Sequence, residues 1–172
     1  FLVSEILGFE PSGYGEHVFL EVEKRGVNTG WLASQLAGHC GIRTRDVGYA
    51  GRKDRHATTR QWFSCWLPGR EDPDWSVLQI AGTPVLCSLR HAQKLKRGRH
   101  LGNRFEICVR DVPSTALPDF GDRCSRLREE GFPNYFGEQR FGLSLGNLKR
   151  ADLLLQATLE ADKGPDSGAS MS

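Results

Sequence analysis

The sequence lacks several features that would place it in a familiar class of protein. None of its apolar runs approaches the roughly 18–20 residues that a helix needs to cross a bilayer. Its five cysteines are widely spread and no two form a C-x-x-C pair, which argues against a disulfide framework and against a zinc site. We therefore expect free thiols in a reducing cytosol, no membrane association and no bound metal.

The common catalytic signatures are missing as well. No G-x-x-x-x-G-K-[ST], G-x-S-x-G or H-E-x-x-H pattern occurs, and Gly51-Arg52-Lys53-Asp54 lacks the hydroxyl residue that a phosphate loop uses for magnesium. These absences remove the usual nucleotidase, hydrolase and metalloprotease interpretations. The start, Phe1-Leu2-Val3-Ser4-Glu5, has no basic segment followed by an apolar one, so no secretory signal is expected; the lack of an initiator Met leaves a removed signal open.

The charge distribution is more informative than the total charge. Hydrophobic residues make up 38% and charged residues 26%, as in ordinary globular proteins, and the formal net charge is only +2. The segment Arg90–Arg104, here called the basic strip, contains six Lys or Arg residues and no acid. Such a concentration is typical of a surface that faces phosphates, and a solvated basic loop is the alternative.

Hydrophobic periodicity predicts an α+β fold with a mostly antiparallel, mixed sheet flanked by helices. In residues 16–24, for example, Val18, Leu20 and Val22 alternate with polar positions, as expected of a half-buried strand. Residues 162–172 are small and polar, which predicts a linker or a mobile end after the last helix. The predicted strands are 1–6, 16–24, 47–50, 61–67, 76–81, 84–92 and 103–111, and the predicted helices are 30–39, 118–130 and 148–161.

One acid stands among three cations in the segment Gly48–Ala57. Asp54 is bracketed by Arg52, Lys53 and Arg55. Nearby positive charge favours an ionised carboxylate, and cations beside it could grip phosphates, which suits covalent or general-base chemistry on a nucleic acid. The charge pattern alone fits a surface turn with a capping Asp at least as well.

Two further segments carry aromatic residues. Gly102-Asn103-Arg104-Phe105 follows the basic strip; Asn can bond a base edge and Phe can stack on an extruded base, although Phe105 could equally begin a core strand. Gly131–Gly142 packs four aromatics and a Glu/Arg pair into twelve residues, which favours a rigid wall of a site. There Arg140 could touch RNA or pair with Glu138 or with Asp54.

These segments together resemble the TruD family of tRNA pseudouridine synthases. Gly48–Ser64 (Gly-Tyr-Ala-Gly-Arg-Lys-Asp-Arg-His-Ala-Thr-Thr-Arg-Gln-Trp-Phe-Ser) looks like the family's catalytic motif, Gly102–Phe105 its Asn-x-Phe element, and Pro133–Gly142 its Asn-Tyr-Phe-Gly-x-Gln-Arg-Phe-Gly motif. Phe1–Glu5 and Gly15–His17 match its amino-terminal pattern. The likeness covers nearly the whole chain in the family's order.

The resemblance implies a cofactor-independent isomerase in the cytoplasm, expected to be monomeric, that converts uridine to pseudouridine in tRNA, in the bacterial branch typically uridine 13. Asp54 would be the catalytic aspartate. Lys53 and Arg55 would contact phosphates or tune Asp54, and Asn103, Phe105 and Phe1 would position the base. The expected RNA-binding set is completed by Arg140, Lys94, Lys96 and Arg97.

Family members are about twice as long, so we expect this sequence to be a fragment whose site lacks groups from the other half. The resemblance implies that residues 1–161 form the amino-terminal part of the family's catalytic domain and that residues 162–172 are a linker or the start of its inserted region. Two other interpretations stay open at this point. A non-catalytic RNA-binding module could use the same basic strip and aromatics, and a small hydrolase could use Asp54 with His56, although His56 is favoured as a packing or RNA-contacting residue.

Overall fold

In a computed structural model, which describes residues 1–78, 80, 82–116, 118–133, 135 and 137–162, the chain divides into two compact units. The first unit is Phe1–Arg110 and the second is Asp111–Ser172. The first holds one sheet and one α-helix, and the second holds two α-helices with short 3₁₀ turns. The elements are β1 (Leu2–Ile6), β2 (His17–Lys24), α1 (Thr29–Cys40), β3 (Val47–Tyr49), β4 (Thr58–Trp66), β5 (Val85–His91), β6 (Gly102–Glu106), α2 (Phe120–Glu130) and α3 (Gly146–Asp162).

The sheet of the first unit has the strand order β5-β2-β4-β1-β6, with the short β3 also paired to β4. Only the β1–β4 pairing is parallel, through Leu2↔Thr58 and the next two pairs; all other recorded pairings are antiparallel. The predicted α+β class with a mixed, mostly antiparallel sheet is therefore confirmed.

Alternation along the two central strands creates two differently covered faces. One face carries Val18, Leu20 and Val22 of β2 and Phe63 and Cys65 of β4, all buried. Helix α1 covers this face with buried side chains at helical spacing, and it ends at Gly41, which adopts the left-handed conformation that glycine tolerates best. The covering residues of α1 are Leu32, Ala33, Leu36, Ala37 and Cys40.

The opposite face of the same strands carries a smaller cluster. Phe19 packs there with Leu7, Ala50 and Leu95, and Trp62 lies against it. Leu95 brings part of the basic strip into the core, where its N–H donates to Ser64 Oγ at 3.0 Å. This contact fixes the position of the cations on either side of Leu95.

Most predicted elements are present, with shifted ends. Helix α1 extends beyond the predicted range 30–39, and α3 extends beyond the predicted range 148–161. Helix α2 begins at Phe120, two residues later than predicted, and β6 is shorter than the predicted 103–111. The strand predicted at 76–81 is wrong for the residues described there: Trp75–Val77 form a 3₁₀ turn capped by Asp74, whose carboxylate accepts from the Ser76 N–H. The Asp74 side chain accepts a hydrogen bond from the backbone two residues later, and this local bond competes with sheet pairing. Residues 79 and 81 lie outside the described residues.

The second unit consists of α2, α3 and three 3₁₀ turns at Ser114–Ala116, Glu138–Phe141 and Leu143–Leu145. Asp162, predicted to begin a linker, is the last residue of α3, and residues 163–172 lie outside the described part. The division of the chain into a catalytic segment at 1–161 and a linker stays a prediction. No helix in the described part of the chain is long and apolar enough to span a membrane.

Candidate active site

Asp54 lies in the loop between β3 and β4, with its side chain exposed. Its Oδ1 accepts the backbone N–H of His56 at 2.9 Å, so the carboxylate is held by a local Asx turn. The surface turn that the charge pattern favoured is present, but it leads into β4 and caps no helix. Its recorded hydrogen bond uses Oδ1, and the second carboxylate oxygen is left to a ligand. His56 takes part through its backbone, and its side chain is exposed.

The backbone of this loop is anchored from below by buried polar side chains. Gln61 on β4 donates its side-chain N–H to the Gly51 carbonyl at 2.6 Å. Thr29 Oγ1, in the first turn of α1, accepts the Lys53 N–H at 3.0 Å and donates to Gln61 Oε1 at 3.0 Å. Gln61 and Thr29 are both buried, so these hydrogen bonds are shielded from competing water.

Lys24, the last residue of β2, completes the anchor. Its side chain is buried, and its Nζ donates to the Val27 carbonyl at 2.9 Å and to the Asp54 carbonyl at 3.0 Å, with the Lys53 carbonyl at 3.5 Å. Burial lowers the pKa of Lys24 from its ordinary value; the Asp54 carboxylate opposes this shift and the Lys53 ammonium adds to it. The loop thus has a cation beneath it as well as cations within it.

Lys53 is turned away from solvent. Its ammonium forms an ion pair with Glu5 of β1, and both side chains are almost completely buried. Glu5 also accepts the Trp62 N–H at 3.4 Å. The two roles that the resemblance implied for Lys53, a phosphate contact or tuning of Asp54, both stay predictions; in this structure the ammonium pairs with Glu5 and does not face solvent.

Asn103 and Phe105 share a sheet face with this ion pair. In the antiparallel β1–β6 ladder, Glu5 pairs with Asn103 and Val3 pairs with Phe105, and directly paired residues project to the same face. Both β6 side chains are exposed, Phe105 at 59%. Phe1, exposed at 61%, has the same alternation phase as Val3 and Glu5, and its carbonyl accepts the Thr58 N–H at 3.3 Å. The structure therefore places the predicted base-binding residues on the face where the Asp54 loop is attached.

Arg55 flanks Asp54 on the solvent side. Its Nε donates to the Gly26 carbonyl at 2.9 Å, and the Arg55 carbonyl accepts the Gly26 N–H at 2.9 Å. The same region forms an open pocket whose lining includes the exposed Trp31. Arg55 is therefore anchored on one nitrogen and remains exposed, as a phosphate contact requires.

The basic strip reaches the Asp54 loop at its other end. The Gly98 N–H donates to the Ala50 carbonyl at 2.7 Å, and a groove beside this contact is lined by Lys94, Lys96 and Arg97 together with Arg45. Lys94 also donates to the Arg45 carbonyl. Gly48 permits the approach, since a Cβ there would collide with the Leu95 carbonyl and lie 2.6 Å from Ser64 Oγ. The groove therefore gathers four cations, three of them from the basic strip.

Arg140 belongs to the second unit, in the 3₁₀ turn Glu138–Phe141. Its N–H donates to the Gly137 carbonyl at 3.0 Å, and its carbonyl accepts from the Asn147 side chain at 3.0 Å. Its predicted contact with RNA stays a prediction. Asn134 and Phe136 of the same motif lie outside the described residues.

The residues that hold the loop were not predicted from the sequence, although a signal for two of them was present. Lys24 continues the apolar series Val18, Leu20 and Val22, and Gln61 precedes Phe63 and Cys65 by the same step of two. A polar residue on the buried face of a strand must find a buried partner. That period-two pattern could have marked both as candidates.

Nothing in this arrangement assembles metal ligands: within the described residues, no group of three or more His, Cys, Asp or Glu side chains converges. All five cysteines are free thiols, with Cys40 and Cys65 buried in the main core. The site offers one exposed carboxylate, that of Asp54, with surrounding cations and exposed aromatics.

The sequence of this chain is similar to those of known RNA-modifying enzymes. A family profile described as tRNA pseudouridine synthase D (TruD) matches residues 1–157. The chain is 49% identical over 158 residues to the tRNA pseudouridine synthase D of Cellvibrio japonicus (strain Ueda107), covering 90% of this chain and 47% of that protein. It is 50% identical over 151 residues to the protein of the same name from Methylococcus capsulatus, covering 88% and 42%. The chain thus spans about half the length of the curated relatives it matches.

A solved structure supports the same relationship. The crystal structure of a candidate tRNA pseudouridine synthase D (TruD) from Methanosarcina mazei superposes with a TM-score of 0.69 at 27% identity. The match covers 90% of this chain and 38% of that one. Similarity in sequence and in fold therefore extends over nearly all of this chain, as the order of its motifs predicted.

Proposed function

Because this chain belongs to the TruD family of tRNA pseudouridine synthases, we propose that it is the part of such an enzyme that carries the catalytic carboxylate, Asp54. The observation that supports this role is the anchoring of the loop. Its backbone is held by buried side chains at Gly51, Lys53 and Asp54, while the Asp54 carboxylate itself remains exposed. Rigid support for one exposed reactive group is what catalysis by positioning requires.

The proposed reaction is an isomerisation of uridine. The bond between ribose C1′ and uracil N1 breaks, a bond between C1′ and uracil C5 forms, and the C5 proton leaves to solvent while N1 gains one. Atoms and electrons balance without an oxidant, a reductant or a cofactor. Asp54 acts on the nucleotide by one of two routes. Its carboxylate either adds to the base or promotes loss of the base from the sugar.

The surrounding residues would hold an extruded nucleotide. Phe105 and Phe1 offer exposed aromatic surface for stacking, and Asn103 offers an amide for the base edge. Arg55 and the basic groove of Lys94, Lys96 and Arg97 would bind the phosphates on either side. The substrate we propose is tRNA in the cytoplasm, with uridine 13 as the target.

The test uses the complete gene product and tRNA labelled with tritium at uracil C5, because forming the new bond releases that hydrogen to water. We expect release by the wild type and a loss of at least about 10³-fold in Asp54→Asn, with tRNA binding retained. Asp74→Asn is the matched control, since Asp74 is also an exposed turn acid that caps a backbone N–H. Equal release by wild type and Asp54→Asn would refute the role of Asp54.

The same assay separates the alternatives. Salt-sensitive tRNA binding without tritium release, unchanged in Asp54→Asn, would indicate a binding module. The position of the target is read by mapping pseudouridine in the product. A tRNA transcript with cytidine in place of uridine 13 should then release no tritium from that site.

A further inference from the structure

Lys24 is the most unusual buried group in the first unit. Its side chain has no exposed surface, and burying an ammonium costs several kcal/mol unless strong partners replace water. Among the described residues, no carboxylate forms an ion pair with it within 4.0 Å. Its partners are carbonyl oxygens, of Val27 at 2.9 Å, Asp54 at 3.0 Å and Lys53 at 3.5 Å, which match the three N–H donors of an ammonium.

Of these three carbonyls, the one that matters most for the site is that of Asp54 itself. A hydrogen bond to that oxygen restrains the peptide plane directly after the Asp54 Cα, and the 3.5 Å bond to the Lys53 carbonyl restrains the plane directly before it. Two soft backbone angles at Asp54 would otherwise be free to change the direction of its side chain. The His56 N–H then fixes the carboxylate at its outer end.

We propose that Lys24 is a positioning residue of the active site, whose buried ammonium sets the backbone of Asp54 from beneath and so aims the carboxylate at the substrate. The inference rests on the proposed function of Asp54 and adds a residue to it. Thr29 and Gln61 belong to the same hydrogen-bond network. They bond each other, and each also bonds the loop backbone, Thr29 at the Lys53 N–H and Gln61 at the Gly51 carbonyl.

A purely structural role would predict something different. If Lys24 only filled space, a methionine of similar length would serve as well. A methionine, however, leaves the Val27 and Asp54 carbonyls without their donor and removes the positive charge beneath the loop. Its electrostatic contact with the Asp54 carboxylate supports the second point: the negative charge raises the pKa of Lys24 against the larger lowering by burial.

The experiment compares Lys24→Met and Lys24→Arg in the complete gene product, with Leu36→Ala as a control that damages the same core but takes no part in these hydrogen bonds. Tritium release is measured at saturating tRNA and corrected for the folded fraction; tRNA affinity is measured separately. We expect Lys24→Met to slow release on the order of 10²-fold with affinity within about twofold. Lys24→Arg should recover a large part of the wild-type rate of release, and Leu36→Ala should release tritium at the wild-type rate per folded molecule.

Two results would overturn the proposal. One is release by folded Lys24→Met within about threefold of the wild type. The other is an equal loss in Leu36→Ala, which would assign the effect to general destabilisation. If Lys24→Met does not fold, the pair Thr29→Val and Thr29→Ser serves instead, since only Ser keeps the hydroxyl that accepts the Lys53 N–H.

A second measurement does not depend on activity. Amide hydrogen exchange across residues 50–57 reports the loop itself, including the His56 N–H bonded to the carboxylate. Lys24→Met should speed exchange there while Leu36→Ala should not, and unchanged exchange would refute the positioning role. A wild type that releases no tritium would refute the proposed function, and the exchange data would still decide the role of Lys24.

Discussion

The two units of the chain bury their side chains to very different degrees. In the first unit eighteen hydrophobic residues are buried among those that the structure describes, including Phe63 of the sheet and Leu36 of α1 with no exposed surface. In the second unit no residue whose side chain the structure describes is buried, and Leu153, Leu154 and Leu155 of α3 are exposed at 64–70%. A sheet with a covering helix makes its own core, whereas two helices that do not enclose a core rely on their backbone hydrogen bonds.

Polar groups follow the same division. The first unit buries Lys24, Glu5, Thr29 and Gln61, each with hydrogen-bond partners from distant parts of the chain. The recorded ion pairs of the second unit lie one helical turn apart on exposed surface, as in Arg126–Glu130 of α2. The anchored Asp54 loop therefore depends on a core that can shield polar contacts, and that core lies in the first unit.

The sharpest test of this difference compares two glutamates. Glu5→Ala leaves the buried Lys53 ammonium unpaired, so we expect a loss of about 3–5 kcal/mol in the free energy of unfolding. Glu130→Ala removes an exposed pair one turn away, so we expect about 0.3–0.5 kcal/mol. Urea denaturation measures both. Losses of similar size would remove the proposed distinction between buried and exposed pairs.

Truncation of leucines tests the packing directly. Leu36→Ala opens a cavity in the main core and should cost about 2–5 kcal/mol. Leu154→Ala, at a side chain exposed at 70%, should cost no more than about 0.5 kcal/mol. The same denaturation series provides the values. A large loss at Leu154 would show that this leucine is packed against something in solution.

Acid should weaken the first unit selectively, since all five histidines lie within residues 17–100. Burial lowers the pKa of His17 from its ordinary 6.5, helped by Lys94 and His91 and opposed by Glu16, and its Nδ1 is buried without a recorded partner. The unfolded chain therefore binds this proton more readily than the folded one, so stability falls as the pH drops below about 6.5.

The measurement is the unfolding temperature at about pH 7.5 and at about pH 5.5, in the wild type and in His17→Gln. The variant should lose less stability on acidification than the wild type, because it removes one group that resists protonation in the fold. A drop of equal size in both proteins would assign the acid sensitivity to other groups, His91 first among them, whose pKa is also lowered by burial.

The elements that the sequence predicted well are those in which burial follows the chain's own period. Strand β2 and helix α1 carry alternating or helically spaced apolar residues, and both were placed within one residue or two of their ends. The segment at 76–81 misled because Leu and Ile there suggest a strand, while Asp74 bonds the local backbone instead. Asp54 was predicted as the catalytic carboxylate from the length of its motif, and that role stays a proposal, since its charge pattern alone also fits the Asx turn that it does form.

The family, the α+β class and the candidate carboxylate could be predicted from the sequence, because they depend on residue order and local period. The contacts that hold this carboxylate in place became visible in the folded chain. Lys24 and Asp54 are thirty residues apart, and Lys53 and Glu5 forty-eight, so their contacts exist only once β1, β2 and β4 lie side by side. Alternation tells which face of a strand a side chain occupies, and strand pairing decides which neighbour it meets there.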